Sequence, residues 1–333
     1  MNDEICVIVA AMNAERTVAR AVASALREEA VREVVVVDDA SEDATAHEAW
    51  GADDGSGRLK VLRAQKNLGP AAARNLAIAR SRAPRIAILD ADDVILPGRF
   101  AALADAAGDW DMSADNMMFV SEEQAEAYTH LAAFATGGIA ERMSFARFVA
   151  ANISQAGRPR GELGFLKPVM RRAFLDRHGL RYDPSLRLGE DFDLYARMLL
   201  AGARFRLVAA CGYLAIERAD SLSARHAAAD LAALVEADDR MLAGHLSPDE
   251  REVLLQHRTQ CAQRWHHRHF LDAKQKSGLV RALYENRDRP RLLLDAGLGV
   301  ARDKLALLRP ARLPGKSDAA GEPRFLIAPS PVP

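Results

Sequence analysis

Three carboxylates crowd the end of an apolar run in "RIAILDADDVILP", Arg85 to Pro97: Asp90, Asp92 and Asp93. Acids this close repel one another and resist desolvation, so something must offset the cost. The choices are a divalent cation, a phosphate chemistry, or no ligand at all. In an extended chain, residues i and i+2 point to the same side. Asp90 and Asp92 could then converge on one cation, leaving Asp93 on the other side and dispensable for metal binding. Mg2+ and Mn2+ take oxygen ligands and bridge phosphate oxygens well.

Two further strand-like runs end in polar residues. "EICVIVAAMNAE" runs out into Asn13 and Glu15, and "REVVVVDDAS" into Asp38 and Asp39. Ser41 or Asp43 could simply start the next helix there. In a parallel α/β sheet, however, ligands bind beyond the carboxyl ends of the strands. Polar groups at three such ends favour a binding crevice. A second acidic cluster stands in "LRLGEDFDLYARM". There Gly189 supplies a turn, and Glu190 and Asp191 open a helix whose apolar face is Phe192, Leu194, Tyr195 and Met198. Acids in a first turn are favoured by the helix dipole, with or without a function. The functional reading is a general base presented at a helix N-terminus.

The elements that position these groups read as follows. Glu4–Ala11, Arg32–Asp38, Arg58–Arg63 and Arg85–Leu89 are short buried strands. Helices over Ala14–Glu28 and Pro70–Arg80 lie between them, the second with proline in its first turn. This alternation means βαβ units and a parallel sheet. Beyond it the sequence predicts strands at Asp111–Phe119, Glu162–Met170 and Phe205–Cys211. It predicts helices at Ser144–Ala151, Arg171–His178 and Asp191–Leu200. From His226 onward only helical patterns occur: His226–Leu242, Ser247–Lys276, Leu279–Glu285 and Leu292–Leu308. The expected organisation is a catalytic domain over residues 1–225, with 1–100 for nucleotide binding and 101–225 for the acceptor and base. A helical region follows over 226–312, then a disordered tail over 313–333 rich in Pro, Gly, Ala and Ser.

The 333 residues are 49% apolar and 27% charged, ordinary for a globular enzyme. No window approaches the roughly 18 apolar residues of a membrane span. The start "MNDEICVIVAAMN" has acids where a signal peptide needs bases. Cys6, Cys211 and Cys261 are too far apart for a disulfide framework, so the expected compartment is a reducing cytoplasm. The net charge of −1 hides an asymmetry. Residues 251–312 hold 14 Lys and Arg against 6 Asp and Glu, which leaves residues 1–250 at −9. A basic helical stretch is either a solvated face or a surface for peripheral contact with an anionic membrane. Neither a dinucleotide-binding G-x-G-x-x-G nor a phosphate-binding P-loop is present.

Taken in order, "VIVAAMNAERTVARAVASAL", "VVVVDDAS", "NLGPAAARNLAIA", "ILDADDVILPGR" and "GEDFDLYARMLLAG" resemble the signature series of family 2 glycosyltransferases. The likeness covers residues 4–100 and resumes over about 160–205. "ASALRE", "ADDGSGRLKV", "GPAAARN" and "RGELGFLKPVMRR" carry a narrower likeness to bacterial succinoglycan (exopolysaccharide) glucosyltransferases. The resemblance implies the GT-A fold: a Rossmann-like mixed α/β sheet flanked by helices, here with a helical C-terminal extension. It implies a UDP-sugar donor, with Ala10, Ala11, Asn13, Glu15 and Asp39 around the uracil and ribose and Arg74 near the nucleotide or donor sugar. Asp92 would ligate Mg2+ or Mn2+, and Asp90 would meet the ribose or the metal shell. Asp191 would be the base, and one base with direct displacement inverts the anomeric centre. The acceptor would be a lipid-linked oligosaccharide, reached from the inner face of the plasma membrane, and the expected partners include no nucleic acid. Asp115, Asn116 and Lys167 are candidates for the acceptor pocket.

Two departures stand out. Met12 replaces an aromatic residue that many members stack on the base. Gln260 sits one residue too far from Arg264–Trp265 for the Q-x-x-R-W of processive members, so one sugar is expected per acceptor. Two rivals are a haloacid-dehalogenase-like phosphatase using Asp90 and Asp92, and a non-catalytic nucleotide-sugar-binding protein.

Overall fold

The computed structural model describes residues 4–104, 109–136, 141–154, 162–217, 227–308 and 323–328. The chain divides into two compact units, Met1–Ser221 with Pro323–Pro333, and Leu222–Glu322.

The first unit begins with the alternation that its sequence predicts. Its elements are β1 (Ile5–Ala11), α1 (Val18–Leu26), β2 (Val31–Asp38), α2 (Thr45–Gly51), β3 (Leu59–Arg63), α3 (Pro70–Arg80) and β4 (Arg85–Asp90). The four strands pair in parallel in the order β3-β2-β1-β4. Val7, Ile8, Val9 and Val34 to Val37 are fully buried, as strands covered on both faces must be. The register matters for function. Ala11 pairs with Asp38, and Ala10 pairs with Asp90. One level of the sheet therefore carries the exits of β1, β2 and β4 together.

The rest of the sheet is mixed. The chain continues through β5 (Val94–Ile95), α4 (Arg99–Ala104), β6 (Met112–Ser121), α5 (Glu122–Tyr128), β7 (Phe134–Ala135), β8 (Glu141–Met143) and α6 (Phe145–Ala151). A 3-10 turn at Leu163–Phe165 follows, then β9 (Val169–Arg171), α7 (Arg172–Arg177), α8 (Glu190–Leu200) and β10 (Phe205–Glu217). β9 is antiparallel to both β4 and β6, and β10 runs parallel to β6. Three expectations change here. Glu162–Met170 is not one strand, because Pro168 has no N–H to donate and the 3-10 turn precedes it. β10 runs on to Glu217, six residues past its expected end. Part of the expected structureless tail forms β11 (Arg324–Phe325), which pairs with β6. Asn116 secures that strand, accepting from the N–H of Ile327 at 3.0 Å and donating to its carbonyl at 2.7 Å. Residues 313–322 and 329–333 of the tail lie outside those described.

The second unit is helical over its described residues: α9 (Ala228–Leu242), α10 (Pro248–Ser277), α11 (Leu279–Glu285) and α12 (Pro290–Leu308). Ser247 and Glu250 close a capping box ahead of the 30-residue α10. Asp238 on α9 is buried and receives a hydrogen bond from His257 on α10, with Oδ2 and Nδ1 2.9 Å apart. Phe270, Ala282, Leu292 and Ala296 form a small core among α10, α11 and α12.

Candidate active site

The turn after β4 is tighter than an extended chain. The N–H of Asp93 donates to the carbonyl of Asp90 at 3.1 Å, so Asp90 to Asp93 form a closed turn. Strand alternation therefore does not place these acids, and the geometry replaces that argument. Tyr213 on β10 pins the turn. Its hydroxyl accepts from the N–H of Asp90 at 3.1 Å and donates to Oδ2 of Asp93 at 2.8 Å. Oδ1 of Asp93 accepts from the N–H of Ile216 at 2.9 Å. Asp93 is thus a buried fastener between the turn and β10. Burial, together with Asp90 and Asp92 beside it, holds its carboxyl well above the usual carboxylate range.

Asp90 faces the other way, into a cluster of five charges. Arg74 on α3 donates from Nη2 to Asp90 Oδ1 at 2.9 Å, and from Nη1 to Glu190 Oε1 at 2.6 Å and Asp191 Oδ1 at 3.3 Å. Lys167 lies 2.9 Å from Asp90 Oδ2 and donates to Asp191 Oδ2 at 2.8 Å. Two cations thus bridge three acids drawn from β4 and the start of α8. Arg74 and Lys167 are almost fully buried, whereas the Asp90 side chain stays 34% exposed. Burial alone would raise the Asp90 carboxyl, but Lys167 and then Arg74 outweigh it and bring it down to about 2. Burial likewise opposes the charge on Lys167, yet Asp191 and Asp90 hold its ammonium above the ordinary lysine range.

Local structure sets each of these groups. Gly69 ends the loop before α3 at φ 84°, a left-handed conformation that suits glycine. Pro70 then opens the helix, and Arg74 follows one turn later. Its neighbour Asn75 clamps the Tyr182 segment, donating to the Tyr182 carbonyl at 2.8 Å and accepting from its N–H at 3.0 Å. The Tyr182 ring in turn lies 5.3 Å under the Arg74 guanidinium. Gly189, at φ 73°, turns the chain into α8 so that Glu190 and Asp191 occupy its first turn. Lys167 is held by its backbone: buried Arg99 donates to its carbonyl at 2.6 Å while gripping Asp115 at 2.8 and 3.0 Å. Asp115 also accepts from the N–H of Gly212 at 2.6 Å.

The other predicted residues gather at the neighbouring strand exits. Asp39 lies beyond β2 and accepts from the N–H groups of Leu68 and Gly69 at 2.6 and 2.8 Å. Asn13, at φ 51°, accepts from the N–H of Glu42 at 3.0 Å, and its own N–H donates to Ser41 Oγ at 2.9 Å. Glu15 accepts from the N–H of Ala44 at 3.1 Å. These bonds tie the loop after β1 to the loop after β2. Ala10 and Ala11 close β1 beside them. Met12 is exposed, and Asn67 reaches its sulfur at 2.8 Å.

The structure thus joins Asp90, Arg74 and Asp191 directly and sets Asp92 in the same turn. Ala10, Ala11, Asn13, Glu15 and Asp39 stand together at the adjoining exits of β1 and β2. Glu190 and Lys167 complete the charged cluster. Lys167, a sequence candidate for the acceptor pocket, bridges Asp90 and Asp191, while Glu190 was visible as a helix-opening acid. Asp115 and Asn116, candidates for an acceptor pocket, are committed instead to Arg99 and to β11. A phosphatase built on Asp90 fails on placement: the motif stands on the fourth strand, with Asp90 fixed between Arg74 and Lys167.

Known proteins match this architecture. The glycosyl transferase family 2 profile matches residues 6–174. The succinoglycan biosynthesis protein ExoU of Rhizobium meliloti (strain 1021) is 47% identical over 328 residues, 97% of this chain and 95% of that protein. Among solved structures, S. aureus TarS 1-349 in complex with UDP-GlcNAc aligns with a TM-score of 0.57 at 19% identity, over 84% of this chain and 79% of its own. The mannosyltransferase PcManGT from Pyrobaculum calidifontis, in complex with GDP-Man and Mn2+, aligns with a TM-score of 0.53 at 18% identity, over 93% and 82%. The two structures share the GT-A fold with this chain, and the profile and the relative assign its family: the chain belongs to glycosyl transferase family 2 and is a glycosyltransferase.

Proposed function

We propose that this enzyme is an inverting, metal-dependent, non-processive glycosyltransferase that moves glucose from UDP-glucose to a lipid-linked oligosaccharide during assembly of a succinoglycan-type exopolysaccharide. One observation carries the site assignment: Asp90 and Asp191 share both of their cationic partners, Arg74 and Lys167. The acid on the donor side is thereby tied to the acid that opens α8. The name of ExoU supports the pathway, and the sugar nucleotides bound to TarS and PcManGT support the donor class.

Ala10, Ala11, Asn13, Glu15 and Asp39 line the exits of β1 and β2 and are assigned to the uracil and ribose. Asp92 and Asp90 fit a divalent cation: both offer hard carboxylate oxygens, and the Asp90 side chain remains 34% exposed. Asp92 is the primary ligand in this assignment, because both Asp90 oxygens already have cationic partners. What Mg2+ or Mn2+ supplies there when bound is charge neutralisation on the diphosphate.

Asp191 accepts the proton of the acceptor hydroxyl. The hydroxyl oxygen bonds to the anomeric carbon from the side opposite the diphosphate. The carbon–oxygen bond to the diphosphate breaks, and UDP leaves with the electron pair. An α-linked donor therefore gives a β-glycoside. Arg74 is assigned to the charge that develops on the leaving group.

A panel of UDP- and GDP-sugars tests this reading, scored with and without EDTA for thermal stabilisation and for transfer to lipid-linked saccharides. UDP-glucose with Mg2+ or Mn2+ should give the largest stabilisation and a β-linked product. Failure of every sugar nucleotide to stabilise the protein would sink the donor assignment, and full transfer in EDTA would sink the metal.

A further inference from the structure

We propose that α11, α12 and the adjoining end of α10 present a docking surface for an anionic lipid bilayer, formed by large apolar side chains set among cations that have no acidic partner among the described residues. Eleven large hydrophobic residues are exposed among the described residues, and six fall within Leu279–Leu298: Leu279, Val280, Leu283, Tyr284, Leu294 and Leu298. Val280 is 82% exposed, Tyr284 64% and Leu294 63%. On α11 the buried residue is Ala282 while Leu279, Val280, Leu283 and Tyr284 are exposed, and α12 buries Leu292 yet exposes Leu294 and Leu298. Their buried positions include the small residues Ala282 and Ala296, while larger residues point to solvent.

The charges around these side chains select the partner. Lys274, Lys276, Arg289 and Arg291 are exposed, and no acid lies within ion-pair distance of them among the described residues. Nearby acids already have partners: Asp272 pairs with Arg268 at 2.9 Å, Glu285 with Arg281 at 2.9 Å and Asp288 with Arg287 at 3.7 Å. Arg287 also stacks on Tyr284 at 4.1 Å, a pairing of ring and cation suited to a headgroup layer. Exposed apolar side chains beside these cations fit the interface of an anionic bilayer, where the former enter the acyl boundary and the latter meet lipid phosphates. A second copy of the chain would set these cations against one another. Among the described residues no helix is long and apolar enough to cross a membrane, and the contact proposed is a peripheral one. The proposal involves α11, α12, the turn between them and the adjoining end of α10, and stands whatever donor or acceptor the enzyme uses.

The test is co-sedimentation of the full-length protein with vesicles of phosphatidylcholine alone or mixed with phosphatidylglycerol. Each cation near an anionic surface contributes on the order of 1 kcal/mol, so binding to the mixed vesicles should be at least roughly tenfold tighter and should weaken with salt. Val280→Ser with Leu294→Ser, and separately Arg289→Gln with Arg291→Gln, should each weaken it about tenfold or more. Unchanged thermal unfolding would confirm that these exposed substitutions leave the fold intact. Equal binding to both vesicle types, or variants that bind like the parent, would overturn the proposal. So would a dimer in analytical ultracentrifugation that the Val280→Ser/Leu294→Ser protein no longer forms, since the surface would then belong to a second copy.

Discussion

The ammonium of Lys167 lies 2.8 Å from Oδ2 of Asp191. The same nitrogen reaches Asp90 at 2.9 Å, so one buried cation spans the two acids assigned to opposite sides of the reaction. Lys167→Met removes that span while keeping much of the side-chain volume. Breaking a buried ion pair by removing one partner costs about 3–5 kcal/mol, so the variant should melt at a lower temperature. Misplacing Asp191 should lower kcat by roughly 100-fold. Lys167→Arg keeps the charge and should recover part of that loss. Steady-state kinetics of both variants check this, and a Lys167→Met enzyme with parental kcat would refute the positioning role.

Asp191→Asn separates proton transfer from donor binding. The amide keeps the shape of the carboxylate and can still accept from Lys167, but it cannot take a proton. General-base catalysis contributes typically 10²–10⁴-fold, so kcat should fall by about that factor. Affinity for UDP, measured by calorimetry, should change little, because Asp191 is assigned to the acceptor and not to the nucleotide. Undiminished transfer would remove Asp191 from the role of base.

Much of this site was legible in the sequence because short-range rules govern it. Apolar runs ending in acids gave β1, β2 and β4, and parallel pairing brings their exits to one level. Pro70 in a first turn, and Gly189 before two acids, marked the helix starts that carry Arg74 and Asp191. What the sequence left hidden depends on long-range pairing. Lys167 stands 77 positions from Asp90 and 24 from Asp191, and only antiparallel β9 beside β4 delivers it to them. Tyr213 belongs to the part of β10 that extends past its expected end, so its clamp on the Asp90–Asp93 turn had no local signal. The same clamp turns Asp93 away from Asp90, as the sequence predicts, but through a closed turn rather than through strand alternation. β11 escaped because two residues flanked by Pro, Gly and Ala carry no period; Asn116 supplies the missing information from more than 200 positions away.

Asp93 is predicted to matter for stability and not for metal binding. Both of its oxygens accept hydrogen bonds inside the protein, from Tyr213 and Ile216. In Asp93→Asn the amide oxygen can accept from Ile216 and the amide nitrogen can donate to the Tyr213 oxygen. The buried Tyr213 O–H then lacks its acceptor, so that variant should melt somewhat below the parent while keeping its dependence on Mg2+ or Mn2+. Asp93→Ala strands a buried N–H and a buried hydroxyl, at a cost of about 1–3 kcal/mol for each group left unsatisfied. Urea titration of the two variants distinguishes these outcomes. A change in the metal concentration that half-activates Asp93→Asn would place Asp93 in the metal shell after all.

The last prediction concerns pH and the helical unit. Burial alone would lower the His257 imidazolium, but its hydrogen bond to Asp238 and its contact with Cys261 outweigh burial and raise it to about 10 from an ordinary 6.5. The sign follows from linkage. A cation held more tightly in the folded state contributes its full stabilisation below pH 6.5. That contribution declines above 6.5 and is lost as the pH rises through about 10. The helical unit should therefore unfold more easily with each step in pH across that window. His257→Gln removes the titrating group while leaving an amide able to hydrogen-bond Asp238. The variant should be less stable than the parent at neutral pH and should show a flatter dependence between pH 6.5 and about 10. Unfolding followed through helix α10, which carries Trp265, gives the measurement. Parallel pH profiles for the two proteins would mean that His257 does not carry the proton that stabilises buried Asp238.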